Sequence, residues 1–302
     1  MRGERRAVVP DMPYMDIVLR ELAAGDIDTG AVFGRHVHWG FWADPEKAGR
    51  SSEDFGVAAE HMSQRVCETA DIQHGMRVLD CGCGIGGTIA SLNDRLSDMQ
   101  LVGLNVDSRQ LDVARSLVHA RPGNVVDFVE ADACALPFPD ESFDVVLAVE
   151  CIFHFPSRRR FLREVRRVLR PGGRLAFSDF LTRPTSRQAL STLDNLRRAP
   201  QIDYFGKTSK LPATLYGYLA MLGLARLTVR SYADVTRNIM PSYDVLCRRY
   251  ERYGGETLVE AGRRMQDALH RGAMAYVMFS VEKMTSHEPG GFEVAGGAAA
   301  LP

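Results

Sequence analysis

Between residues 76 and 183, short apolar runs of strand length alternate with segments whose apolar residues recur at helical spacing. MRVLDCGC (76–83), MQLVGLNV (99–106), VDFVEADA (126–133), FDVVLAVE (143–150) and GRLAFSDF (173–180) read as buried strands. GGTIASLNDRLS (86–97), SRQLDVARSLVHA (108–120) and SRRRFLREVRRVLR (157–170) read as helices. In the last of these, Phe161, Leu162, Val165, Val168 and Leu169 share one face and arginines occupy the other. Pro171-Gly172-Gly173 then stops it. Strands that alternate with helices predict βαβ units, right-handed crossovers and a parallel sheet. ARLTVRSY (225–232) and AYVMFSVEK (275–283) add two later strands, so the expected fold is α/β with seven strands, mostly parallel, flanked by helices.

The flanks differ from this middle zone. Residues 13–24 have the pattern of an amphipathic helix, and GRHVHWGFWADPE follows as an aromatic-rich loop. Residues 184–284 are mainly helical in pattern and rich in Met, aromatic and other large apolar residues, among them Tyr204, Phe205, Leu211, Tyr218, Met240, Tyr243 and Tyr250. These suit either an adaptable apolar binding wall or ordinary helix core. The tail, 285–302, is Gly/Ala/Pro-rich and is expected to be disordered.

Charge and cysteine content narrow the setting. With 37 Lys plus Arg against 38 Asp plus Glu, the net charge is −1, which argues against a nucleic-acid-coating role. No run reaches the roughly 18 apolar residues of a membrane span, and the N-terminus lacks an apolar leader core. The six cysteines form no CxxC pair and read as reduced thiols of a cytoplasmic protein. His36 and His38, with Asp44 nearby, lack a carboxylate at ligand spacing, so no metal site is expected.

In parallel sheets, ligands bind beyond the carboxyl ends of the strands. Topology alone therefore selects Asp80–Gly87, Asn105–Gln110, Asp132–Ala133, Glu150–His154 and Ser178–Asp179. The first of these, DCGCGIGG, is a glycine turn against which a ligand can lie closely. Asp80, two residues before the first glycine, would repel a pyrophosphate but suits a ligand bearing an ammonium group.

VLDCGCGIGG, ADACALPFPDESFDVVLAVECIFHF and LREVRRVLRPGGRLAFSDF together resemble the successive motifs of class I S-adenosylmethionine (SAM)-dependent methyltransferases. The order and spacing match over roughly residues 76–181, about a third of the chain. HWGFW (38–42) and GLNVDSRQLDVAR (103–115) are similar to segments of small-molecule enzymes within that family: sugar and polyketide O-methyltransferases, and tocopherol and sterol C-methyltransferases. The resemblance implies a Rossmann-like fold with helical lid insertions, and SAM as cofactor. It implies a cofactor flap at 1–60, a SAM-binding core at 61–183 and an acceptor-binding lid with the last two strands at 184–284.

By the same resemblance, Asp80 with Gly82, Cys83 and Gly84 would hold the methionine end of SAM. Asp132 and Ala133 would face the adenine, and Glu150 would border the ammonium or the acceptor. The second strand departs from the family pattern. Asn105 stands where an acidic residue usually binds the ribose, which leaves Asp107 or Gln110 to contribute. Trp39, Phe41 and Trp42 could close over the cofactor, facing the sulfonium by cation–π attraction or capping the sheet edge.

His154 with Asp179 resembles the base dyad of related O-methyltransferases, although Phe153 replaces the first of two histidines usual there. His154 is thus either a general base or a hydrogen-bonded pocket residue. A His/Asp pair favours methylation of oxygen; Glu150 in an apolar aromatic pocket suits methylation of carbon through a cation. The expected partner is a bulky, largely apolar small molecule of natural-product metabolism, with no nucleic acid and no membrane insertion. Homo-oligomerisation through the 13–24 helix is a further expectation. Two other readings stand beside this one: a protein or nucleic-acid methyltransferase, and a non-catalytic SAM-binding scaffold.

Overall fold

Each of the seven expected strands is present, and all join one sheet. They are β1 (Arg77–Cys81), β2 (Gln100–Asn105), β3 (Val125–Glu130), β4 (Phe143–Ala148), β5 (Leu169–Thr182), β6 (Leu227–Asp234) and β7 (Met274–Lys283). The structure, a computed structural model, describes residues 12–184, 213–252 and 255–284, together with residues 9 and 191. Strand order is β3-β2-β1-β4-β5-β7-β6. The first five strands pair in parallel, and β7 runs antiparallel to both β5 and β6. The order reverses between β1 and β4, so the crevice for a ligand opens at their carboxyl ends.

The described helices are α1 (Pro13–Ala23), α2 (Ile27–Phe33), α3 (Ser52–Thr69), α4 (Gly87–Arg95), α5 (Ser108–Leu117), α6 (Arg158–Val168), α7 (Leu215–Leu224), α8 (Thr236–Ile239), α9 (Pro241–Arg252) and α10 (Glu256–His270). Successive strand residues point to opposite faces. Val78, Val145 and Ala176 therefore pack with α3, α4 and α10, whereas Leu79, Val146 and Leu175 pack with α6 and α7. No described helix is long and apolar enough to cross a membrane. All six cysteines are free thiols, five of them buried.

Three local departures have physical causes. Helix α6 ends at Val168, and Leu169 already pairs with Phe143. Pro171–Gly173 then bulge out, and the ladder resumes at Arg174 opposite Val145. Proline has no N–H to donate there, and Gly172 takes a φ of 76°. Strand β3 stops at Glu130 rather than 133, because the Asp132 carboxylate accepts from the Cys134 N–H and turns the chain.

Helices α2 and α3 were not expected, and α3 runs unbroken across the anticipated boundary at residue 60. Its buried stripe includes Ala58, Ala59, Ser63 and Cys67, small residues that blur the apolar rhythm. Gly56 lets α2 approach: a Cβ there would lie 2.5 Å from the Ala31 carbonyl oxygen. Tyr204, Phe205 and Leu211, and the 285–302 tail, lie outside the described residues.

Candidate active site

The chain leaves β1 through a turn that only glycine adopts without strain. Gly82, Gly84 and Gly86 have φ values of 72°, 56° and 87°. A Cβ on Gly82 would also lie 2.6 Å from the Cβ of Cys151. The turn edges a cavity of about 850 Å³ at the switch point. Asp80 lines that cavity, is 1% exposed, and has no hydrogen-bond partner at either carboxylate oxygen among the described residues. Burial pushes its pKa up to about 8. A buried carboxylate with no donors is costly unless a cationic group completes it.

Beyond β2, Asn105, Asp107 and Gln110 form one buried cluster. The Asn105 side-chain N–H donates to Gln110 Oε1 (3.2 Å), Gln110 Nε2 donates to Asp107 Oδ2 (3.3 Å), and the Asp107 N–H donates to Asn105 Oδ1 (3.2 Å). Arg109 bridges Asp107 to Asp16 on α1, so the N-terminal helix is tied to this corner. Across the cavity, Asp132 and Ala133 contribute lining, with Asp132 Oδ1 accepting from the Cys134 N–H at 2.7 Å.

Glu150 and His154 stand where this cavity meets a narrow apolar pocket lined by Trp39, Phe33, Phe153, Leu246 and Tyr250. Both Glu150 oxygens accept: Oε2 from the Trp39 N–H (2.7 Å) and Oε1 from the Tyr276 hydroxyl (2.6 Å). Burial raises the Glu150 pKa to about 8, against the lowering effect of these two donors. His154 Nε2 lies 3.1 Å from the Tyr14 hydroxyl. Tyr14, on α1, lines both cavities.

A family profile described as "Methyltransferase domain" matches residues 79–177. The chain is 32% identical over 262 residues to "Methyltransferase GfsG" of Streptomyces halstedii, covering 84% of this chain and 89% of that protein. The chain belongs to the class I SAM-dependent methyltransferases. A second relative is the "27-O-demethylrifamycin SV methyltransferase" of Amycolatopsis mediterranei, 30% identical over 261 residues, covering 83% of this chain and 91% of that protein. In fold, the methyltransferase matches geranyl diphosphate C-methyltransferase from Streptomyces coelicolor A3(2), with a TM-score of 0.66 at 18% identity over 92% of this chain and 100% of that one.

The cofactor is SAM, and the enzyme methylates small molecules. The cavity of this methyltransferase suits the cofactor on its own terms. Asp80 lacks the cation that an ammonium would bring, the glycine turn leaves backbone open, and the Asn105–Gln110 cluster offers polar groups for hydroxyls.

Two expected site residues of the methyltransferase are placed elsewhere. Asp179 does not face His154. Its carboxylate takes the Arg158 guanidinium at 2.7 and 3.1 Å, the Tyr218 hydroxyl at 2.8 Å and the Phe180 N–H at 2.8 Å. The strand end is correct, but an arginine 21 residues earlier in the chain, at the start of α6, claims the charge. Trp42 lines neither cavity: its indole N–H donates to Asp54 and its ring meets Phe55 edge-on. Trp39 reaches the narrow pocket rather than the larger cavity, with its ring edge-on to Phe153 and Phe180.

His36 and His38 anchor the loop that carries these tryptophans. His36 contacts Glu60 (2.7 Å) and Ser63 (3.2 Å), and His38 contacts Ser63 (3.1 Å). Burial lowers both pKa values, that of His38 to about 3, so the loop is pinned by neutral imidazoles. Tyr14 and Tyr276 escaped the sequence reading, because each reaches the site from an element distant in the chain.

Proposed function

We propose that this enzyme transfers a methyl group to a hydroxyl of a bulky, largely apolar natural product. The observation that carries the reading is the position of His154, at the junction of the two cavities with its Nε2 toward the Tyr14 hydroxyl. SAM supplies an activated methyl on a sulfonium, so the protein's task is alignment, exclusion of water and removal of one proton. His154 takes that proton. Tyr14 orients the imidazole and walls the acceptor side. Asp80, Gly82, Cys83 and Gly84 hold the methionine end, Asn105 and Gln110 the ribose, and Asp132 and Ala133 the adenine.

The narrow pocket measures about 30 Å³, room for little more than one water. A bulky acceptor therefore enters only when α1 moves. Residues 1–60 act as the flap, and 184–284 cover the acceptor. Deleting residues 1–23 tests this role of α1, and the oligomeric state of the shortened chain tests its part in subunit contacts. We place the enzyme in the cytoplasm, in keeping with its six free thiols. Glu150, a carboxylate in an aromatic surround, favours carbon methylation as the second reading.

The deciding experiment incubates the protein with SAM and a panel of phenols, sugars and prenyl compounds, with mass detection of product. Methylated hydroxyl products support the first reading, and methylated alkenes support the second. No product from any class would count against both.

A further inference from the structure

Glu150 is held more tightly than a pocket residue needs to be. Its φ of 52° is left-handed, a conformation that a β-carbon disfavours and that surrounding structure must enforce. The enforcing contacts come from three directions. The Trp39 N–H, from the loop before α3, reaches Oε2 at 2.7 Å. The Tyr276 hydroxyl, from β7, reaches Oε1 at 2.6 Å. The Ser178 hydroxyl, from β5, accepts the Glu150 N–H at 3.0 Å and lies 2.7 Å from the Tyr276 hydroxyl. Tyr276 and Ser178 are fully buried on paired central strands, so this anchor has little freedom.

The carboxylate so held sits at a telling place. The cofactor cavity and the narrow pocket share Tyr14, Val37, His38, Glu150 and His154, and Glu150 is the one acid among these. A methyl group passing from cofactor to acceptor crosses that junction, and the sulfur that carries it is positive before transfer and neutral after. In a buried site a fixed carboxylate senses that difference strongly. Asp80 lines the larger cavity and not the narrow pocket, and the ammonium suited to it is present both before and after transfer.

We propose that Glu150 is the group by which this enzyme distinguishes SAM from its neutral-sulfur product S-adenosylhomocysteine, with Tyr276 as the positioning residue that keeps the carboxylate at the junction. This rests on the reading of the junction as the transfer point. The carboxylate favours the charged cofactor and loses its hold once the methyl has gone, which promotes product release.

The groups facing Glu150 are Tyr276 from β7, Ser178 from β5, Tyr14 from α1, Tyr243 from α9, and His38 and His154 from the adjoining loops. The three phenols are pushed up by burial and stay neutral at ordinary pH, and His38 is held neutral by the same cause. The carboxylate, raised to about 8 by burial, ionises between pH 6 and 9.

The test is calorimetric titration of the full chain with SAM and with S-adenosylhomocysteine, which needs no acceptor. Glu150→Gln should lower SAM affinity about tenfold or more and S-adenosylhomocysteine affinity less than about threefold. Asp80→Asn should lower both together. Tyr276→Phe should narrow the ratio of the two affinities by about three- to tenfold. In the wild type that ratio should rise from pH 6 to 9, and in Tyr276→Phe the rise should move to higher pH, because a donor to the carboxylate is gone. A purely structural role for Tyr276 would weaken both ligands equally and leave the ratio alone. Equal losses for both ligands in Glu150→Gln, or in Tyr276→Phe should the first variant not fold, would overturn the proposal. So would a wild-type ratio constant over this pH range. A wild type that binds neither ligand would overturn the junction reading and this inference with it.

Discussion

Tyr14 and His154, 140 residues apart in the chain, meet at 3.1 Å between hydroxyl and Nε2, with their rings stacked at 25°. The contact makes the N-terminal helix a wall of both cavities rather than an appendage. It also supplies the orienting partner that Asp179 does not. If His154 removes the acceptor proton, His154→Ala should lower turnover by about 10²–10⁴ while SAM affinity changes little. Tyr14→Phe should cost less, because the ring wall survives. Product formation from the best acceptor, measured across pH 6–9, checks both. Near-normal turnover of His154→Ala over that range would remove the base role.

Asp80 ties stability to pH. Its carboxyl ionises near 8 in the fold, through burial, against about 3.9 in an unfolded chain. The folded protein therefore holds a proton that the unfolded chain has released, and the cofactor-free enzyme loses stability as pH rises from about 4 to 8. Asp80→Asn should remove the share of this loss that Asp80 causes and leave that of Glu150, raised likewise to about 8: near pH 8 the variant without cofactor should melt several degrees higher than wild type, with the two converging near pH 4. The same substitution should weaken SAM binding at pH 8, because the ammonium loses its partner. Thermal melts at several pH values, with and without SAM, separate the two effects. A melting difference independent of pH would contradict the assignment.

Asp179 belongs to the fold. It is fully buried, and its partner Arg158 keeps a side-chain exposure of 10%. Removing one member of a buried pair leaves the other charge uncompensated, at a cost of about 3–5 kcal/mol. Asp179→Ala should therefore lower the melting temperature clearly. The double replacement Asp179→Leu with Arg158→Met should recover much of that loss, since apolar pairs of similar volume often substitute well. Chemical denaturation of the single and double variants decides the matter. A stable Asp179→Ala enzyme with lost turnover would return Asp179 to the chemistry.

How far the sequence reveals this molecule follows from how local each signal is. Strand β1 and its glycine turn are written in consecutive residues, and the three left-handed glycines fall where the motif puts them. The same holds for Asp80 and for the cluster of Asn105, Asp107 and Gln110, whose members lie within six positions. The Asp179 pairing depends instead on which of two polar groups lies closer across the β5 and α6 ends, and local spacing carries no such distance. Tyr14 and Tyr276 had no signal, because one reaches the site from a helix that folds back over it and the other from an antiparallel strand near the chain's end. Helix α3 was missed for a different reason: its buried stripe mixes Phe55, Met62 and Val66 with Ala58, Ala59, Ser63 and Cys67, small residues that dilute the apolar face.

The loop from Arg35 to Trp42 meets helix α4 at Gly87, and this contact predicts how the loop that lines both cavities is seated. A Cβ on Gly87 would lie 2.1 Å from the Arg35 carbonyl oxygen and 2.4 Å from His36 Nδ1. The first neighbour is backbone, so the loop itself must shift to admit a methyl group. At an ordinary exposed helix position, glycine to alanine would stabilise by up to about 1 kcal/mol through helix propensity. Here the collision should reverse that sign. Displacing Arg35 and His36 would loosen the His36–Glu60 and His36–Ser63 contacts, and with them the Trp39 N–H that holds Glu150. The chain's two tryptophans, Trp39 and Trp42, both lie on this loop, so intrinsic fluorescence reports it directly. Gly87→Ala should shift tryptophan emission toward the solvent-exposed value and weaken SAM binding, while circular dichroism of the sheet and helices stays close to wild type. Unchanged emission together with unchanged SAM affinity would show that α4 absorbs the methyl group, and that the loop is not seated on Gly87 in the way that would keep Glu150 in place.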